Sequence, residues 1–208
     1  MSKSPKSERD AANLHGSAPD KSSVALLLID VINDFDFPEG DQLLQFAFPM
    51  AKRIVELKSR LKAAGIPAIY VNDNFGRWRS DFQTHVDHCL EGDAPGRPIA
   101  ELLQPDSDDY FVLKPKHSGF YSTTLDTLLE YLGVKTLVIA GVTTNICVLF
   151  TANDAYMRDY RLFVPADCVA SNTDEQNRYA LEQIESILKA DVRTSAELSL
   201  DCLKSKQR

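Results

Sequence analysis

Two kinds of apolar pattern take turns along this chain. Short unbroken runs, rich in β-branched residues, recur at Val24–Asp30, Ile66–Val71, Tyr110–Leu113, Val134–Val142 and Arg161–Pro165. Runs of that length and uniformity predict strands covered on both faces. Between them, apolar positions recur at helical spacing. From Gln42 to Ala64 the residues Leu43, Leu44, Ala47, Ile54, Val55, Leu57, Leu61 and Ala64 form one stripe, with Pro49 predicting a break and Gly65 a stop. Ser122–Leu132 reads as a capped helix closed by Gly133, and Thr173 as the cap of a helix to about Ala190. The segment from 72 to about 109 is polar and irregular, with short helices near 81–90 and 98–103, and Asp191–Thr194 is the candidate sixth, edge strand.

Strands alternating with helices predict an α/β fold: a single-domain, three-layer α/β/α sandwich around a mainly parallel sheet of about six strands with right-handed crossovers. In such sheets ligands sit beyond the carboxyl ends of the strands. That rule singles out three residues. Asp30 ends the first strand and Lys114 follows the third. The fourth strand leads through Thr143-Thr144-Asn145, all helix-cap types, into a helix from Ile146 to about Tyr160, with Cys147 in its first turn. Unpaired N–H groups and the helix dipole predict a stabilised thiolate there.

The chemistry of the three is complementary. An attacking thiol must lose a proton, which a carboxylate can take and return to a leaving amine. A buried lysine holds that carboxylate in place and adds positive potential. The N–H groups around Thr143 and Cys147 suit an oxyanion. Each residue alone also has an ordinary explanation: a core cysteine, a loop aspartate, a solvated lysine. Their convergence on one sheet edge is what favours chemistry.

Composition narrows the rest. The chain has 208 residues, 44% hydrophobic, in keeping with one full core; a polar tail over 1–22 and a single domain over 23–208 are expected. The net charge of −7 argues against nucleic acid or an anionic membrane as partner, and no apolar run reaches the roughly 18 residues of a span. The first residues lack the apolar core of a secretory signal, and Cys89, Cys147, Cys168 and Cys202 are scattered, so reduced thiols and a cytoplasmic location are expected.

Three motifs resemble those of the isochorismatase-like cysteine hydrolase superfamily, which includes nicotinamidases, N-carbamoylsarcosine amidases and isochorismatases. They are Leu28-Ile-Asp-Val-Ile-Asn-Asp-Phe35, Lys114-Pro-Lys-His-Ser-Gly-Phe-Tyr-Ser-Thr-Thr-Leu125 and Ala140-Gly-Val-Thr-Thr-Asn-Ile-Cys-Val148. The resemblance covers about Val24 to Leu198 and implies a Rossmann-like fold with Asp30, Lys114 and Cys147 catalytic. The Ser-small-Phe after the lysine selects Lys114 over Lys116. It also implies a cis Val142–Thr143 peptide, structural roles for Asp154, Ala155 and Asp167, and self-association into a homo-oligomer.

Nicotinamidases bind a metal through an Asp-x-His pair after the second strand, where this chain has Asn72-Asp-Asn-Phe75. No metal or other cofactor is therefore expected, and His85 and His88 read as surface residues. Phe35, Phe37, Asn74, Arg77, Trp78 and Phe120 are the candidate pocket residues, with Arg77 or Arg79 placed to meet an acidic group; His117 is assigned to loop structure. The expected function is a cysteine-dependent hydrolase that cleaves an amide or ureido C–N bond of a small molecule through a thioester. The alternatives are an isochorismatase-type vinyl-ether hydrolase, in which the aspartate alone does the chemistry, and a non-catalytic member of the family.

Overall fold

The computed structural model describes residues 21–74 and 81–205. Strand β1 (Val24–Ile29) leads to helix α1 (Gly40–Ala63) and β2 (Ala68–Asp73). Two short helices, α2 (Phe82–Leu90) and α3 (Arg97–Leu102), precede β3 (Tyr110–Lys114). Then come α4 (Leu125–Leu132), β4 (Thr136–Val142), a π-helical turn (Thr144–Val148) that continues into α5 (Leu149–Tyr156), and β5 (Arg161–Phe163). A two-residue β6 (Val169–Ala170), α6 (Asp174–Ser186) and α7 (Leu200–Lys204) complete the order. Among the described residues no helix is long and apolar enough to cross a membrane.

The sheet is six-stranded and all-parallel, in the order β3-β2-β1-β4-β5. β5 pairs with the start of β4 and β6 with its end, so the two share one edge of that strand. Alternate residues of each strand serve opposite layers. Leu26, Leu28, Tyr70, Val138 and Ala140 face α1, α2 and α3, whereas Leu27, Ile29, Val71, Leu137 and Ile139 face α4, α5 and α6. Two separate cores therefore hold one sheet, and β1 and β4, between them, are buried along their whole length.

Three expectations change. Helix α1 runs unbroken through Pro49. The proline and Gln45, whose carbonyl loses its helical donor, are both exposed, while Leu43, Ala47, Met50, Ile54 and Leu57 anchor the helix on either side. The sixth strand is Val169–Ala170; of Asp191–Thr194 only Asp191 bridges the sheet, to Phe163. There the side chain of Asp191 accepts from its neighbour, the Arg193 N–H, at 3.1 Å, and Thr194 opens a capped 3-10 turn, so local bonds end the extension. Finally, α4 starts at Leu125, since Ser122 has a φ of 53° and cannot begin a helix.

Candidate active site

The sequence brings β1 and β4 unusually close at their carboxyl ends. Gly141 has a φ of 122°, and a Cβ there would lie 2.0 Å from the Ile29 carbonyl oxygen. Only glycine fits. The next residue of the β1 chain, Asp30, turns away with a φ of 50°, a conformation costly for a non-glycine residue and typical of functional sites. The peptide between Val142 and Thr143 is cis.

These turns gather Asp30, Lys114 and Cys147. The Lys114 Nζ lies 2.9 Å from Asp30 Oδ2, 3.5 Å from Asp73 Oδ2 and 3.5 Å from the Cys147 Sγ. Asp30 Oδ1 accepts from the Asp73 N–H at 2.6 Å, and the negative charge of Asp30 acts on the nearby thiol. Lys114 is wholly inaccessible to solvent, Asp30 is 6% exposed and Cys147 is half-buried.

Both flanking loops are fixed. On the nucleophile turn, the buried Thr144 hydroxyl donates to Asn177 Oδ1 on α6, and the Ser171 hydroxyl donates to Asn145 Oδ1 at 2.9 Å. On the loop after β3, Ser118 donates to Asp154 and the Gly119 N–H donates to Thr151 Oγ1 at 3.0 Å, both on α5. Asp154 thus ties the loop after β3 to α5, Ala155 is buried in the core, and Asp167 accepts from the Ser195 N–H at 2.7 Å.

The electrostatics differ from the expectation of a preformed thiolate. Burial raises the Cys147 thiol well above its ordinary range, and the negative Asp30 beside it pushes the same way; Lys114 offsets only part. Burial also raises Asp30, against the pull of Lys114. Lys114 is lowered by burial but raised further by Asp30, Cys147 and Asp73, and so stays charged. The resting cluster is a neutral thiol beside a carboxylate of heightened basicity. The helix terminus is too weak a field, at about 0.3–1 kcal/mol, to reverse the cost of burying a thiolate beside a carboxylate.

The candidate pocket residues separate. Phe37 and Asn74 line a cavity of about 180 Å³, together with Asp34, Asp73, His85, His88 and Leu113. Asp73 joins that cavity to Lys114. Phe35 does not line it: its ring is 2% exposed, packed into the core behind the stacked Phe37. Phe120 does not either; it is buried in the opposite layer against Tyr160 and under the Arg158 guanidinium, 4.7 Å from the ring centre. Arg77, Trp78 and Arg79 lie outside the described residues.

His85 is half-buried with Nε2 2.7 Å from the Ile32 carbonyl oxygen, and burial lowers its pKa; His88 is exposed and faces Asp34 at 3.1 Å. A metal held as in nicotinamidases does not fit, because position 75 is a phenylalanine with no ligand atom and Asp73 is engaged by Lys114. One residue that sequence reasoning passed over stands at the thiol: His117 Nδ1 is 4.0 Å from the Cys147 Sγ. Its place between Lys114 and the Ser118 anchor was the available signal.

Residues 24–197 match the isochorismatase domain family. YaaI, an isochorismatase family protein of Bacillus subtilis, is 42% identical over 178 residues, covering 86% of this chain and 97% of its own length. Ureidoacrylate amidohydrolase RutB of Methylobacterium radiotolerans is 29% identical, with 86% and 83% covered. Among solved structures, N-carbamoylsarcosine amidase from Thermoplasma acidophilum is 28% identical, with a TM-score of 0.64 over 86% of this chain and 99% of that one.

Proposed function

Because the chain belongs to the isochorismatase family, we propose that it is a cysteine-dependent amidohydrolase that cleaves an amide or ureido C–N bond of a small molecule through a thioester on Cys147. The observation that carries this reading is the single cluster in which Lys114 Nζ contacts both the Asp30 carboxylate and the Cys147 sulfur. The amide chemistry named for similar proteins, ureidoacrylate amidohydrolase and N-carbamoylsarcosine amidase, supports C–N over vinyl-ether cleavage.

The chemistry follows from the charges. The sulfur attacks the carbonyl carbon while its proton passes to Asp30, so the thiolate exists only as the bond forms. The carbonyl oxygen becomes an oxyanion, met by the N–H groups of Thr143 and Cys147 at the start of the helix and by the field of Lys114. The C–N bond then breaks, and the amine or ammonia leaves with the proton from Asp30. Water cleaves the remaining thioester to acid and thiol. Phe37 and Asn74 border the cavity that Asp73 joins to Lys114, which in this reading receives the substrate, and Arg77 and Trp78 belong to the sequence that follows.

A screen of small amides and ureido compounds, with ammonia release as readout, tests the proposal. Cys147→Ala and iodoacetamide-treated enzyme should both be inactive on every compound the native enzyme hydrolyses. Full turnover by Cys147→Ala would sink the thioester route, and alkylation-resistant hydrolysis of a vinyl ether would replace it with the aspartate-only chemistry.

A further inference from the structure

We propose that His117 is the general base of the second half-reaction, taking the proton of the water that attacks the Cys147 thioester; this rests on the amidohydrolase reading above. Asp30 and Lys114 are both buried and approach the sulfur from the protein side. His117 is exposed and approaches with Nδ1 4.0 Å from the Sγ. An acyl carbon bonded to that sulfur, with one water between it and the ring, falls within the reach expected of a base acting on water.

The ring is held in place by the structure around it. Next to it, Ser118 donates to Asp154 and the Gly119 N–H donates to Thr151, while the Phe120 N–H donates to Ser118 Oγ at 3.1 Å. The imidazole rests on the Phe150 ring, centroids 5.5 Å apart. Asp154, Thr151 and Phe150 all lie on α5, the helix that the Cys147 turn opens. Histidine and sulfur are thereby fixed to one rigid element, which is what a positioned base requires.

The two half-reactions need protons moved on different sides of the sulfur. In acylation the thiol proton goes inward to Asp30 and out with the amine. In deacylation the water oxygen bonds the acyl carbon as one of its protons passes to Nδ1, the ring carrying its own proton on Nε2. The C–S bond then breaks with its electron pair left on sulfur, and the imidazolium proton returns to give the thiol. Thioester and water become carboxylic acid and thiol, with the ring unchanged.

p-Nitrophenyl acetate separates the two steps, since release of p-nitrophenolate reports acylation and the steady state reports deacylation. In His117→Gln the initial burst should keep its rate within about twofold while steady turnover falls about a hundredfold, the ordinary contribution of a general base. Intact-mass measurement should show about one acetyl group per chain, absent in Cys147→Ala. The isolated acetyl adduct of His117→Gly should decay faster when imidazole is added, which a purely structural role would not produce. Wild-type steady turnover in His117→Gln, or burst and turnover slowed in equal ratio, would overturn the assignment and leave the thiol reading standing. Undiminished ester cleavage by Cys147→Ala would remove both.

Discussion

A buried lysine paired with carboxylates stands at each end of β3, one from α1 and one from the strand itself, and the pairs do opposite things. At the amino end, Lys58 of α1 reaches Asp109 at 2.5 Å and Asp106 at 3.2 Å, and donates to the Tyr70 hydroxyl at 3.0 Å. At the carboxyl end, Lys114 meets Asp30 and Asp73 but also a sulfur. The partners of Lys58 hold it charged, raising it above the ordinary lysine range despite burial, and its contacts are all to groups that do not react. Around Lys114 both Asp30 and the Cys147 thiol are raised, so the charged lysine and a basic carboxylate stand at rest beside a sulfur that keeps its proton. A buried ion pair is thus a brace when every partner is satisfied by it, and a reaction centre when it leaves one proton poised to move.

The widest separation of the two ends should come from removing each lysine. Lys114→Ala should lower the acylation rate, read as the p-nitrophenyl acetate burst, by about 10³-fold, the scale of losing a preorganised charge from an active site. Lys58→Ala should leave that burst within about twofold while lowering unfolding stability by about 3 kcal/mol, because it strands Asp109 in the interior. Urea denaturation checks the second. Equal loss of activity in both variants would mean that the two edges are coupled through β3 and that the contrast drawn here is false.

Much of the carboxyl edge was legible in the sequence, because element order alone sets where strand ends fall. Asp30, Lys114 and Cys147 each stand at such an end, and the structure places them in contact. What escaped was whatever depends on the direction a loop residue faces. Phe35 and Phe120 lie within recognisable motifs, yet both turn into cores, since loops carry no periodicity to assign a face. His117 looked like loop filling because nothing in its spacing reveals the Ser118 and Gly119 anchors that aim it. Nothing in the helical pattern marks Lys58, because the carboxylate it pairs with, Asp109, lies fifty-one positions away in the chain. The thiolate expected from the helix dipole failed for an energetic reason, as burial and a neighbouring carboxylate outweigh a partial charge.

The proton inventory of the carboxyl edge gives a smaller but more specific test. Asp30 must be ionised to accept the thiol proton, and its pKa is raised. Acylation should therefore fall as pH falls through a value above the ordinary aspartate value of about 3.9. The thiol is raised as well, so alkylation by iodoacetamide should have its midpoint well above pH 8.5, where an ordinary cysteine is half ionised, and should keep climbing beyond about pH 10. A midpoint near 8.5 would mean that the sulfur is free of both Asp30 and burial, and would undo the account of the resting state.

The mildest change belongs to the amino edge. The Tyr70 hydroxyl accepts from Lys58 and donates to the Leu103 carbonyl oxygen at 2.8 Å, and burial pushes its own pKa up to about 12, so it keeps its proton. Its ring is fully buried between α1 and the sheet and stacks at a tilt on Phe82. Tyr70→Phe retains that ring, leaves Lys58 its two carboxylates, and removes one acceptor and one donor. The buried Leu103 carbonyl then lacks its hydroxyl, a loss of about 1–1.5 kcal/mol. The urea midpoint should drop accordingly with an unchanged slope, and the acylation burst should not move. A loss approaching that of Lys58→Ala would show that the tyrosine, and not Asp109, is what holds the lysine inside, turning the brace from an ion pair into a hydrogen-bond chain.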